Sequence, residues 1–434
     1  GNMVSWSFGV NFVAEHAARK KNMPKVFAHE SKKNQMPTGA AIVNGVVASV
    51  LVLLSPVMEL AGFDSFFWIF FSMNIVFLLI SYIPMFPAFL KLRKIDPYVP
   101  GEQPKTDNII KLNANENPYP PAPGVTEVLR TFDAAKLAIY PDANAKALKT
   151  AIAERFDLQP SQVFLGNGSD DVLALAFQSF FCSDKPILYP DITYSFYPVW
   201  CDLFRIPYEN MPLDEDFCVN VRDYDKPNGG IVLPNPNAPT GRGVTLEFLE
   251  DLLQHNQDCV VIIDEAYVDF GAQSAVPLLD KYENLLIVQT TSKSRSLAGM
   301  RIGYALGSET LISTLEAVKN SYNSYTMDAI ALAVGEASIR DEDYFQQTCR
   351  KVSTTRDRSA EALRALSFTV LPSLTNFLFV THPNKKAPDI FAALREKGIF
   401  IRYFKLPRID NYLRITVGTD EQMDKLITAL KEIL

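Results

Sequence analysis

Cysteine is scarce: the 434-residue chain has five, at positions 182, 201, 218, 259 and 349. An odd count with no C-x-x-C argues against a disulfide framework and for a reducing compartment. Histidine is scarcer. His16, His29, His255 and His382 are too scattered for a zinc pattern, so no metal is expected. The 20 glycines and 28 prolines follow no period, which excludes a collagen-like chain. At 48% hydrophobic and 21% charged residues, the chain is not disordered. Its length leaves room for two or three domains of roughly 100–200 residues.

Charge is missing in two stretches, Asn34 to Met58 and Ser65 to Leu90. Each is long enough to cross about 30 Å of hydrocarbon as a helix. The spans are placed at 39–60 and 66–90, with Trp68 and Tyr82 as interface anchors in the second. Arg19, Lys20, Lys21, Lys25, Lys32 and Lys33 precede them, and Lys91, Arg93 and Lys94 follow. Only Glu59 and Asp64 lie between. The positive-inside rule then predicts a transmembrane hairpin with both ends cytoplasmic and membrane contact through 39–90. A pair of buried core helices is the competing reading. The runs start too far from the terminus for a signal peptide. The net charge of −7 hides this split: residues 1–94 hold nine Lys/Arg against four Asp/Glu, whereas 95–434 hold 33 against 45. Such an acidic body is a poor nucleic-acid binder, and none is expected.

Three segments in this region, SWSFGVNFVAEHAARKKNMPKVFAH, MPTGAAIVNGVVAS and FLKLRKIDP, resemble the amino-acid permeases of the APC superfamily, near the glutamate/GABA antiporter branch. Permeases of that family bind substrate on broken helices. Nothing in 1–94 matches those helices, so transport by this part alone is not expected. No long linker separates it from the rest, which suggests an in-frame fusion.

From 95 onward, apolar strand-like runs alternate with helical segments, the pattern of an α/β sheet covered on both faces. Strands are read at 163–166, 186–190, 229–235, 259–265 and 284–292, and helices at 171–181 and 246–255. Chemistry-bearing residues sit where these strands end, which is where open α/β sheets place ligands. GNGSD (166–170) leaves a strand and opens a helix, a turn that suits a phosphate or simply a tight connection. Asp264 ends a fully apolar strand, with Tyr267 three residues on; it is a partner for a protonated ring nitrogen or a helix cap. Lys293 follows another apolar strand, with Arg301 eight residues later. Such a lysine can form an imine with an aldehyde, while Ser292 and Arg301 hold a phosphate; the plain alternative is a solvated loop lysine.

As a set, GNGSD, NPNAPTG, DEAY and SKSRSLAGMR resemble the fold-type-I aminotransferases that use pyridoxal 5'-phosphate. KLNANENPYPP (111–121), YPD (140–142), TYSFYPV (193–199), TNFLFV (375–380), IRYF (401–404) and LRITVGT (413–419) narrow the resemblance to the histidinol-phosphate branch. The resemblance implies a large domain over 136–324 with a mostly parallel sheet, and a smaller α+β domain from 95–135 and 325–434. It implies a homodimer that moves an amino group between L-histidinol phosphate and 2-oxoglutarate, with glutamate as product, in a cytoplasmic body. Lys293 would bond the cofactor aldehyde and shuttle protons. Asp264 would hold the pyridine nitrogen protonated, Tyr267 would donate to the phenolate oxygen, and Tyr194 would stack on the ring. Ser169, Asp170, Ser292 and Arg301 would bind the phosphate, and Tyr140 would reach the other subunit's phosphate. Tyr98, Asn376, Arg402 and Arg414 would line the substrate pocket, the two arginines gripping phosphate or carboxylate. Many relatives carry Asn where this chain has Ala238; either Asn237 takes over the contact to the cofactor oxygen by a small backbone shift, or Tyr267 acts there alone. The alternatives are an aromatic aminotransferase or related enzyme of the same fold, and, in another class, a membrane transport fragment with an incidental body.

Overall fold

The structure, a computed structural model, describes residues 14–20, 22–31, 37–43, 45–46, 49–50, 53, 102–104 and 109–434. The chain divides into two compact units, Gly1–Lys94 and Ile95–Leu434.

In the first unit, residues 14–19 are helical, and Arg19 pairs with Glu15 one turn back and with Glu30. The described residues among 38–53 are helical too. Ile42, Val46, Val50 and Leu53 recur at helical spacing there and are exposed. Among the described residues no helix is long and apolar enough to cross a membrane. The expected 66–90 span lies entirely outside the described residues, and the 39–60 span in part.

The second unit is built on a seven-stranded sheet. Its strands are β1 (Val163–Asn167), β2 (Ile187–Pro190), β3 (Tyr208–Met211), β4 (Gly230–Pro234), β5 (Val261–Asp264), β6 (Leu285–Thr290) and β7 (Ile302–Gly307). The order is β1-β7-β6-β5-β4-β2-β3. All neighbours pair in parallel except those of β7, which runs antiparallel to β1 and β6. That reversal puts the start of β7 at the edge where the other strands end.

Both faces of the sheet are covered, which is why its central strands β4, β5 and β6 read as largely apolar runs. Leu233, Ile263 and Ile287 face one side. There they pack with α1 (Pro123–Thr131), α2 (Lys146–Phe156), α5 (Leu246–His255) and α7 (Ala329–Arg340), whose buried residues include Val125, Leu148, Leu249 and Val334. Val232, Ile262 and Val288 face the other side. They meet Phe177 of α3 (Ser169–Phe180), Trp200 of α4 (Tyr197–Phe204) and Leu315 of α6 (Glu309–Asn320). The core of the large sheet therefore takes in α1 and α7, outside 136–324.

A second, antiparallel sheet has the order β10-β11-β9-β8, from β8 (Thr369–Val370), β9 (Phe377–Thr381), β10 (Arg402–Tyr403) and β11 (Leu413–Thr416). Val380, Ile415, Leu363 of α8 (Glu342–Ala365), Ile390 of α9 (Ala387–Glu396) and Leu426 of α10 (Asp420–Ile433) share its core. Ile110–Lys111 pairs in parallel with Ile399–Phe400, and Thr416 N–H donates to the Leu112 carbonyl (3.0 Å). These bonds stitch the segment that follows, 113–117, beside the strand ends of the large sheet.

Candidate active site

The strand ends of the large sheet frame a cavity lined by Ser169, Asp170, Tyr194, Ala238, Asp264, Tyr267, Thr290, Ser292, Lys293 and Arg301, among others. Five connections contribute: those leaving β1, β2, β4, β5 and β6. Arg301 comes from the start of the reversed β7.

At one end lies the beginning of α3. Its N-cap is Gly168, at φ 89°, so no side chain caps the helix, whereas Thr245, Ser308 and Asp328 cap α5, α6 and α7. The first N–H groups of α3 are thus left for an anion. The fit around them is close. A Cβ on Gly168 would strike the Arg301 guanidinium, and a Cβ on Gly303 would strike the backbone of Gly168 and Ser169. Arg301 holds Asp170 at 3.3 Å, and the Tyr194 hydroxyl donates to the same carboxylate at 2.7 Å. Ser292 Oγ accepts from the Thr290 hydroxyl at 2.9 Å.

The floor belongs to Asp264, which is 5% exposed. Burial pushes its carboxyl up to about 6. The Tyr197 hydroxyl donates to it at 2.7 Å, and the Ala266 N–H at 3.2 Å. Tyr197 in turn is pushed well above its ordinary range by burial and by the carboxylate beside it. Two neutral donors do not neutralise a buried carboxylate, so the site favours a cationic ring nitrogen against Asp264.

Lys293 lines both this cavity and a second one that shares part of its wall. Its Nζ donates to the Ala114 carbonyl (3.3 Å) and lies 5.7 Å from the Tyr267 ring centroid. Asn117 fastens the lysine's loop by donating to the Lys293 and Ser294 carbonyls (3.0 and 3.2 Å). The second cavity shares Tyr194, Ala238, Tyr267 and Lys293, and adds Asn113, Asn115, Phe404, Arg402 and Arg414. Arg402 and Arg414 are register partners on β10 and β11. Like charges directly opposite on a sheet repel, and an anion between them removes the penalty.

Of the residues singled out in the sequence, Ser169, Asp170, Tyr194, Asp264, Tyr267, Ser292, Lys293 and Arg301 line the first cavity, and Arg402 and Arg414 the second. Asn237 lines neither. It is buried, its Nδ2 donates to the Ile192 carbonyl (2.8 Å) and Thr240 Oγ1 (3.0 Å), and its Oδ1 accepts from Thr193. Its amide is consumed in holding the loop, and Ala238 takes the cavity wall. Asn376 is also not a lining residue: fully buried, it donates to the Asn115 carbonyl at 2.9 Å. Tyr140 is 78% exposed and stacked on Tyr325, outside both cavities. Tyr98 lies outside the described residues. Sequence reasoning gave no role to Tyr197, Asn115 or Asn117. Tyr197 had a signal, since it follows Tyr194 by three residues at a helix start.

The arrangement offers a buried carboxylate to a cationic ring nitrogen, an uncapped helix start to an anion, and an amine lining both cavities. The donor set therefore fits pyridoxal phosphate. The family model for aminotransferase class I and II matches residues 107–430, and the chain belongs to that family. Within it, the chain belongs with the histidinol-phosphate aminotransferases. It is 54% identical over 345 residues to the one from Acinetobacter baumannii (strain SDF), covering 79% of this chain and 96% of that protein. It is also 54% identical over 346 residues to histidinol-phosphate aminotransferase 2 of Dechloromonas aromatica (strain RCB), covering 79% and 97%. Among solved structures it is similar to the histidinol-phosphate aminotransferase from Sinorhizobium meliloti in complex with pyridoxal-5'-phosphate: TM-score 0.67, 26% identity, 75% of this chain and 90% of that one. A model for amino acid permeases matches residues 1–114.

Proposed function

We propose that the second unit transfers the amino group of L-histidinol phosphate to 2-oxoglutarate, giving imidazole acetol phosphate and glutamate in histidine biosynthesis. The observation that carries this reading is the convergence of Lys293, Asp264, Tyr267 and Arg301 on one cavity that opens, through Lys293, onto the Arg402–Arg414 pair. The 54% identity to histidinol-phosphate aminotransferases supports it. Pyridoxal phosphate, when bound, supplies an aldehyde for the amine and a ring that withdraws electrons from the substrate Cα.

The chain's own residues do the rest. Ser169 N–H, Ser292 and Arg301 bind the cofactor phosphate. Asp264 would keep a proton on the ring nitrogen, Tyr194 would stack on the ring, and Tyr267 would donate to the ring oxygen. Lys293 Nζ would hold the cofactor through its aldehyde, and its free amine is placed to take and return the proton at the substrate Cα. Arg402 and Arg414 take the substrate phosphate in one half-reaction and a glutamate carboxylate in the other. Tyr140 serves the phosphate of a second copy, which makes the working unit a homodimer. Asn237 is not assigned a ligand contact. We place the body in the cytoplasm, in keeping with five free cysteines.

Lys293→Ala tests the core of this reading. It should abolish both turnover and the near-visible absorbance of the bound cofactor. Retention of both in the variant would remove Lys293 from the reaction. For the first unit we propose the membrane hairpin at 39–60 and 66–90. The uncharged runs, the exposed apolar stripe at 42–53 and the permease match favour it. Release of the expressed full-length chain by alkaline carbonate washing of membranes would exclude it.

A further inference from the structure

We propose that Asn115 is a positioning residue that fixes which way the Tyr267 hydroxyl hydrogen points, making Tyr267 a donor into the cavity. The proposal rests on reading that cavity as a pyridoxal-phosphate site.

The argument is a count of donors. Asn115 N–H can only donate, and it donates to Thr416 Oγ1 at 3.0 Å. The Thr416 hydroxyl hydrogen then goes to the Asn115 side-chain oxygen, also at 3.0 Å. With Oδ1 so engaged, Nδ2 faces Tyr267 and donates to its hydroxyl oxygen at 2.8 Å. Tyr267 accepts from Asn115, and its own hydrogen is turned away from the amide. Flipping the amide would bring two donors to Thr416 Oγ1 and leave the buried threonine hydrogen without an acceptor, a costly arrangement.

Asn115 is held for this task from several sides. It is 1% exposed and sits at φ 54°, a left-handed conformation that asparagine tolerates better than most residues. Asn376 Nδ2 pins its carbonyl at 2.9 Å. On the wall shared by the two cavities, position 238 is alanine and offers no side-chain donor. The Asn237 amide is already spent. Donation to the ring oxygen therefore falls to Tyr267, and its direction to Asn115.

The test uses the full chain loaded with pyridoxal phosphate. The readout is the midpoint of the pH titration of the cofactor's near-visible absorbance. A donor at the ring oxygen favours the deprotonated form, so weakening it raises the midpoint. Asn115→Gly removes the amide and keeps the left-handed backbone accessible. It should raise the midpoint by about 0.5 pH unit, roughly a threefold change in proton affinity, the size expected for one weakened neutral hydrogen bond. In a Tyr267→Phe background the same change should have almost no effect. Lys293, Asp264, Asp170, Arg301, Arg402 and Arg414, the charged groups lining the two cavities, are untouched in every variant. A midpoint that stays put, or moves equally in both backgrounds, overturns the proposal and leaves Asn115 a packing residue. If Asn115→Gly does not fold, Thr416→Val carries the same cycle, because it frees the amide to turn. Absence of near-visible absorbance in the unaltered chain would instead overturn the cofactor reading itself.

Discussion

A carboxylate that is 5% exposed and faces two neutral donors is held at an electrostatic disadvantage until a cation arrives. For Asp264 that disadvantage is visible as a carboxyl raised by burial to about 6, against an ordinary value of 3.8. The sign of the linkage follows. The folded apo-protein binds the proton more tightly than the unfolded chain, so stability is lost as pH rises from about 4 through 6 and stays lost above. Asp264→Asn removes the charge and retains an oxygen for Tyr197. The apo-variant should therefore be more stable than the unaltered apo-protein at pH 8, by up to ~3 kcal/mol, and no more stable near pH 3. Thermal melts at the two pH values check this. Turnover should move the opposite way, falling more than tenfold, because the neutral amide cannot hold the ring nitrogen protonated. A variant within tenfold of the unaltered enzyme would make Asp264 a structural cap. Glu265 beside it is buried too and pushed up to about 7, yet its oxygens accept from Ser274, Ala275 and Gln289 and it lines neither of the two cavities. Adjacent acids thus differ in role because only one points at open space.

The meeting of α3 with β7 depends on two glycines. Gly303 pairs with Gly166 across β1, and a Cβ on it would collide with the backbone of Gly168 and Ser169, atoms that cannot rotate away. Gly303→Ala should push the start of α3 outward, weaken pyridoxal-phosphate binding at least tenfold, and cost about 1–3 kcal/mol of stability. Equilibrium binding followed by absorbance measures the first effect and denaturant melts the second. The paired strands β10 and β11 make a different prediction. Arg402→Ala should slow histidinol phosphate more than an unphosphorylated aromatic amine, by about 1.5–3 kcal/mol of transition-state binding. Because glutamate uses the same pair, each half-reaction is measured alone. Equal losses on both amines favour an aromatic aminotransferase. These elements also mark how far the sequence could be read. β1, β2, β4, β5 and β6 were legible because both their faces are buried and their residues are apolar up to the last one or two, where Asn167, Asp264, Gln289 and Thr290 stand. β3 was not, since three of its four residues, Tyr208, Glu209 and Asn210, are exposed at the sheet edge. β7 was hidden by its glycines and by its reversed direction. The cavity residues were legible because each follows an apolar run. Asn115, Asn117 and Thr416 were not, because their roles arise from contacts between segments about 150 to 300 residues apart.

The chain joins two units of different chemistry at Lys94, and the catalytic residues assigned on described positions all lie in the second. A chain trimmed to Ile95–Leu434 should therefore fold and turn over without detergent; activity that requires residues 1–94 would show that the first unit takes part. On the proposed homodimer reading, the second unit needs a second copy. Tyr140 is 78% exposed, stacked at 4.4 Å on Tyr325, itself 46% exposed, with Ile139 72% and Leu137 55% exposed alongside. Such an apolar patch is an interface signature, and a two-fold partner would bury the same patch on both copies. If Tyr140 then serves the neighbouring phosphate, each site draws Lys293 from one copy and Tyr140 from the other. Subunit mixing tests this directly. Lys293→Ala and Tyr140→Phe homodimers each lack one group in both sites. After unfolding and refolding together in equal amounts, about half the dimers are mixed, and each mixed dimer has one intact site. Activity should recover to about a quarter of the unaltered enzyme, above the sum of the two separate variants. No gain on mixing would place Tyr140 outside the partner's site.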